Sequence, residues 1–251
     1  MPDTPAPLGN IVEEARRLRS AADEQNIPLR LIGGVAVHLH TEHPNPLLQR
    51  PYKDIDLVAL KGASRKVNQF MDEMGYERDA VFNATNGHRR LLYYDVGNER
   101  QVDVFVGSFE MCHQIPITDR IDRDHLTVPL AELLLTKMQV VELNEKDQRD
   151  IIALLADHDI GPSDDNTINS DFIARLLAND WGLWRTTKMN VERIQQAIPQ
   201  YDIGTDAQAT VRDRIDRLWQ RIEAEPKSGR WKMRDRIGDR KRWYEQPEEV
   251  G

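Results

Sequence analysis

The chain has 251 residues, with 34 Lys and Arg against 42 Asp and Glu, for a formal net charge of −8 at pH 7. That length buries a good core in one large or two small domains, and the acidity argues against generic nucleic-acid binding over the whole surface. A single cysteine, Cys112, excludes an intrachain disulfide framework and a cysteine-based zinc site.

In chain order, residues 1–9 are proline-rich and predict no regular element. Residues 10–25 predict a helix, with Ile11, Val12, Ala15 and Leu18 near helical spacing. Residues 29–32 read as a first strand, and 35–40 as a helix opening after the Gly33-Gly34 turn. A proline-interrupted loop over 41–52 leads to a second strand at 54–58. Residues 66–74 predict a helix that Gly75 stops. Residues 89–94 and 101–106 read as a hairpin around Gly97-Asn98. Residues 130–142 and 146–158 predict two helices. The turn-rich acidic stretch 161–166 reads as a link between domains 1–160 and 161–251. Beyond it, 171–178, 190–197 and 206–224 predict helices. No apolar run approaches the ~18 residues of a membrane span. The N-terminus lacks the basic and apolar regions of a signal peptide, so a soluble cytoplasmic protein is expected.

The chemistry concentrates in Lys53-Asp54-Ile55-Asp56-Leu57-Val58. Residues i and i+2 of a strand point the same way, about 6.5–7 Å apart. Two carboxylates so placed repel each other and bear a desolvation cost, which a divalent cation offsets. The plain alternative is a solvated edge strand. Upstream, Gly33-Gly34 interrupts an apolar run, and such glycines let backbone N–H groups approach a phosphate. Downstream, Gln101-Val102-Asp103-Val104-Phe105-Val106 is an apolar strand with one acid in its middle. Three carboxylates on two strands beside a glycine turn suit two-metal phosphoryl transfer.

This order of motifs resembles the nucleotidyltransferase (polymerase-beta-like) superfamily over roughly residues 28–158, and within it the minimal bacterial branch that includes the abortive-infection AbiE-type toxins. Arg50-Pro51-Tyr52-Lys53-Asp54-Ile55-Asp56-Leu57 is similar to that branch's Arg-x-Thr-x-Asp-hydrophobic-Asp-hydrophobic segment. Leu133-Leu134-Leu135-Thr136-Lys137 resembles its Leu-rich helix ending in Lys, and Lys146-Asp147-Gln148-Arg149-Asp150-Ile151 its Lys-Asp-x-x-Asp segment. Gly34 stands where many members have Ser, and Tyr52 where Thr is common.

The resemblance implies an α/β fold of α+β type: a mixed sheet flanked by helices, followed by a helical C-terminal unit. It implies that Asp54, Asp56 and Asp103 hold two Mg²⁺ ions and carry catalysis. Gly33, Gly34, Arg50 and Lys137 would then bind an NTP. The reaction implied is transfer of a nucleoside monophosphate to a hydroxyl of RNA, protein or a small molecule, with a toxin–antitoxin pair as one setting. The alternative is a retired nucleotide-binding or antitoxin-like module on the same fold. Lys137 also reads as an ordinary helix cap. Asp147 and Asp150, one turn apart, read as braces for Lys137 or Arg50, or as solvated. The seven histidines show no metal-ligand spacing.

Residues 227–242 interleave basic side chains with Trp231 and Trp243, a pattern that holds RNA by phosphate contact and stacking. A solvated helix end is the simpler reading, because Asp235 and Asp239 interrupt the run. Trp181, Trp184 and Trp219 are expected to pack the helical unit, with Trp231 and Trp243 in less apolar company.

Overall fold

In the computed structural model, which describes residues 6–41, 48 and 50–246, the chain forms two units. One comprises 6–39, 51–110 and 115–128; the other comprises 40–41, 48, 50, 111–114 and 129–246. The class is mixed α/β.

The first unit begins with α1 (Ile11–Glu24). Asn10 accepts hydrogen bonds from the Val12 and Glu13 amides, satisfying donors that the first helical turn leaves open. Ala15, Leu18 and Ala22 recur at helical spacing and are fully buried, where the helix packs on β1 (Leu29–Ile32) and β2 (Asp54–Ala59). Between these strands, α2 (Gly33–His40) starts at the end of β1 itself, two residues earlier than expected. Gly33 makes this possible with φ +70°, a left-handed conformation that glycine adopts freely. The expected loop over 41–52 lies largely outside the described residues. Then follow α3 (Ser64–Glu73), β3 (Glu77–Arg78), α4 (Ala80–Asn86), β4 (Arg90–Asp95), β5 (Arg100–Val106), β6 (Phe109–Glu110) and β7 (Gln114–Ile115).

The main sheet has the order β1-β2-β5-β4-β3. β2 and β5 run parallel, and the other neighbours are antiparallel. Strand periodicity separates two faces. Ile55 and Leu57 of β2, Val102 and Val104 of β5, and Leu91 and Tyr93 of β4 alternate onto one side and are fully buried. Asp54 and Asp56 fall on the other side with Gln101 and Asp103.

The second unit contains α5 (Leu130–Met138), α6 (Glu145–Asp157), β8 (Asp159–Gly161), β9 (Thr167–Asn169), α7 (Ser170–Leu177), α8 (Trp181–Ala197), α9 (Thr205–Ala224) and α10 (Gly229–Ile237). The stretch expected to link two domains instead joins the parallel strands β8 and β9 inside this unit. The reason is packing. Leu133, Leu134, Leu135, Ile151, Ile152 and Leu154 are buried, and their helices α5 and α6 pack against α7, α8 and α9.

Helix α8 begins nine residues before the expected start. Gly182, Thr186 and Thr187 are poor helix formers, but Asp180 caps the helix through the Leu183 amide and burial of Trp181, Leu183 and Thr186 overrides propensity. Trp231 and Trp243 also depart from expectation. Trp231 stands edge-on to Trp184 at 5.0 Å, and Trp243 edge-on to Trp181 at 6.1 Å. Both are built into one aromatic cluster. The acids of the basic segment are engaged as well: Asp235 accepts from Trp181 Nε1 at 2.7 Å, and Asp239 pairs with Arg185 at 2.8 Å. Among the described residues, no helix is long and apolar enough to cross a membrane.

Candidate active site

Asp56 is the centre of the polar face in the first unit. On one side, β1 places Ile32 opposite it, so that the next residue, Gly33, turns beside its carboxylate. A Cβ at Gly33 would overlap Asp56 Oδ2 and lie 2.9 Å from Asp56 Cγ. Only glycine leaves that space open, and only glycine takes the backbone angle without strain. On the other side, Asp103 of β5 stands in register with Asp56, and Gln101 with Asp54. Side chains paired across adjacent strands share a face. Asp54 is exposed, Asp56 half-buried and Asp103 buried. Gly33 and Gly34 form the first turn of α2, whose leading amides have no partner within the helix and favour an anion.

The surroundings of Asp103 are set by the fold more than by its neighbours in sequence. Arg90 Nε donates to Asp103 Oδ1 at 2.7 Å, and Gln101 Nε2 donates to Oδ2 at 2.8 Å. The Arg90 guanidinium also lies over the Phe105 ring, 5.2 Å from its centre. Gln101 was discoverable, because residues i and i+2 of a strand share a face. Arg90 was not, because its reach depends on how β4 registers against β5, with Arg90 opposite Phe105.

Arg50 and Lys137 meet in the second unit, on Asp150. Arg50 grips that carboxylate with two bonds of 3.0 and 2.8 Å. Lys137 Nζ lies 2.9 Å from Asp150 and 3.1 Å from Asp147. Burial opposes the Lys137 charge, yet Asp150 and Asp147 outweigh it and hold the ammonium above the usual lysine range. Burial likewise opposes the Asp150 charge, and Lys137 and Arg50 overcome it to hold the carboxyl below its usual range. Two cations and two acids thus neutralise one another in a site that is mostly shielded from water.

The donor chemistry on β2 fits a hard divalent ion. Asp54 and Asp56 offer carboxylate oxygens from one strand face, and Mg²⁺ is commonly held by one or two carboxylates with substrate phosphates completing its shell. The absence of a side chain at Gly33 leaves the space beside the Asp56 carboxylate open. Among the described residues, no three His, Cys, Asp or Glu side chains gather as a metal-holding group. Cys112 is buried, and burial pushes its thiol up from the ordinary value, which leaves it inert.

No family model and no curated protein matches the chain. Three solved structures are similar in part. One is the lincomycin-bound lincosamide antibiotic adenylyltransferase LnuA, at 19% identity over 57% of this chain and 94% of that one, with a TM-score of 0.43. Another is the antibiotic-resistance factor ANT(2'')-Ia, at 14% identity over 66% and 93%, with a TM-score of 0.42. The third is an antigenic nucleotidyltransferase-like protein from Paracoccidioides brasiliensis, at 16% identity over 89% and 97%, also with a TM-score of 0.42. Likenesses this distant leave the reading of the site to its own residues.

Proposed function

We propose that the chain is a Mg²⁺-dependent nucleotidyltransferase that moves a nucleoside monophosphate from an NTP to a hydroxyl acceptor and releases pyrophosphate. The observation that carries this reading is the sandwiching of Asp56 between Gly33, where no side chain fits, and the in-register Asp103. Asp54 and Asp56 would hold the ion. Mg²⁺, when bound, supplies Lewis-acid polarisation of phosphoryl oxygens. The first-turn amides of α2 would receive the terminal phosphates, because those donors point out of the helix and the dipole favours negative charge. Asp103, fixed by Arg90 and Gln101, would accept a hydrogen bond from the attacking hydroxyl and orient it toward the α-phosphorus. Attack there forms the new ester bond and breaks the α–β bridge.

The acceptor belongs to one of three classes: an RNA 3′ end, a protein hydroxyl or a small molecule. The toxin of a toxin–antitoxin pair is one setting for such a reaction. Asp56→Asn tests the assignment. The substitution removes a charged metal ligand without changing size, so turnover should fall on the order of 10³-fold or more while the unfolding midpoint holds or rises. Turnover retained in folded Asp56→Asn protein would defeat the proposal.

A further inference from the structure

Residues 227–242 carry eight Lys and Arg against two Asp, on a chain whose net charge is −8. Asp235 and Asp239 interrupt that run in sequence, but the fold engages both on α8. Trp231, Arg234 and Asp235 lie at i, i+3 and i+4 of α10 and share one helix face. Trp231 stands against Trp184, the Arg234 guanidinium lies 4.3 Å from the centre of the Trp181 ring, and Asp235 accepts from Trp181 Nε1. Asp239 accepts two bonds from Arg185, at 3.0 and 2.8 Å. The side chains left outward are cationic. Arg230, Lys232, Arg236, Arg240, Lys241 and Arg242 are exposed. Among the described residues, the segment's ion pairs are Asp239 with Arg185 and Lys227 with Glu223, so none of these six has a carboxylate partner. Met233 and Ile237 lie among them, 63% and 44% exposed. Tyr244 is half-buried, with the Arg242 guanidinium 5.3 Å from its ring centre.

We propose that the outward face of α10, together with Arg240, Lys241, Arg242 and Tyr244, binds single-stranded RNA. The cations would meet phosphates, and Tyr244 would meet the face of a base. Arginine predominates among the six, and its planar fork of donors matches phosphate and stacks on bases. Apolar and aromatic contacts between the cations suit a single strand, whose bases are free to turn out of the stack. A duplex hides those faces, and an acidic protein segment would match the charges without needing a stacking ring. RNA also fits because an RNA end is one acceptor class of the proposed transfer, the single point at which this inference rests on that reading.

Fluorescence anisotropy of a labelled, unstructured RNA oligonucleotide, titrated with the full chain at several salt concentrations, reads binding without turnover. Affinity should fall with salt. Arg236→Ala combined with Arg240→Ala should weaken it about tenfold and lower the log–log salt slope by about 1.4, at ~0.7 per phosphate contact. Both side chains are exposed and unpaired, so the unfolding midpoint should hold. Arg65→Ala combined with Lys66→Ala removes the same charge from exposed positions on α3 and should stay within about twofold. Tyr244→Ala should weaken binding about fivefold or more with the slope unchanged. Equally tight binding of polyglutamate would indicate an acidic protein partner and overturn the RNA assignment. No RNA binding by wild type, equal losses from the two double variants, or an unchanged affinity in Tyr244→Ala would overturn it as well. All of these leave the proposed transfer standing with its protein and small-molecule acceptors. RNA binding by a chain that transfers no label takes down the activity alone.

Discussion

Gly33→Ala probes the cradle where the proposed chemistry is most tightly specified. The new methyl would overlap Asp56 Oδ2 and sit 2.9 Å from Asp56 Cγ and 3.0 Å from its Cβ. It would also place alanine at φ +70°, which costs about 1–2 kcal/mol. Overpacking against a fixed neighbour adds about 1–3 kcal/mol. The expected loss is therefore about 2–5 kcal/mol, a large part of the ~5–15 kcal/mol that keeps a domain folded. Asp56 is only half-buried, and a carboxylate that swung away from the methyl would relieve the overlap. In that case the stability loss shrinks toward the backbone contribution alone, but the proposed metal ligand has moved by ångströms, and misplacement of about 1 Å is enough to cost on the order of 10²-fold in rate. Either response leaves a signal. Urea unfolding reads the first and Mn²⁺ affinity the second. Asp56→Gly in the Gly33→Ala background removes Oδ2, Cγ and Cβ of Asp56, the three atoms nearest the new methyl, so the cycle should return a favourable coupling of about 1–3 kcal/mol. A Gly33→Ala protein with the wild-type midpoint and wild-type Mn²⁺ affinity would refute the reasoning.

Asp150→Ala removes the carboxylate that Arg50 and Lys137 share and leaves Asp147 beside Lys137. Breaking a buried pair from one side costs about 3–5 kcal/mol, and a loss below about 1 kcal/mol in urea unfolding would mean that the network is solvated. His113 gives the fold a pH dependence: burial lowers its pKa to about 4 from the ordinary 6.5, while its Nε2 meets Thr186 Oγ1 at 2.8 Å. Between those values the unfolded chain binds the proton and the folded chain does not. This group's contribution is therefore intact above pH 6.5 and falls as pH drops toward 4, by about 3 kcal/mol in all. His113→Gln should flatten that part of the stability profile, and an unchanged slope would contradict the assignment.

What the sequence discloses here is local. Alternation of acids and apolar residues in 54–58 reads as a strand because its period is two, and the same period puts both acids on one face. The helix stop at Gly75, at φ +89°, follows from glycine chemistry alone. Pairing is not local. Nothing in the order of residues sets Asp56 opposite Asp103 rather than one residue along, nor brings Arg90 to Asp103. The Arg50–Asp150 bond spans 100 positions, so the sequence offers Asp150 as a brace without saying for what. Trp231 and Trp243 read as loosely attached because their neighbours in sequence are charged. Their neighbours in space are other tryptophans, supplied by α8. The early start of α8 escaped for the same reason: its threonines and glycine are poor helix formers that tertiary burial holds in place.

The most direct measurement is transfer of label from an α-phosphate-labelled NTP. The purified chain with Mg²⁺ would be offered total RNA, total protein and small hydroxyl compounds, each with the four NTPs in turn. The account predicts labelled product on one acceptor class, released pyrophosphate in equal amount, and loss of both in folded Asp56→Asn protein. Mg-nucleotide that binds without label reaching any acceptor, or equal labelling by Asp56→Asn, would contradict it.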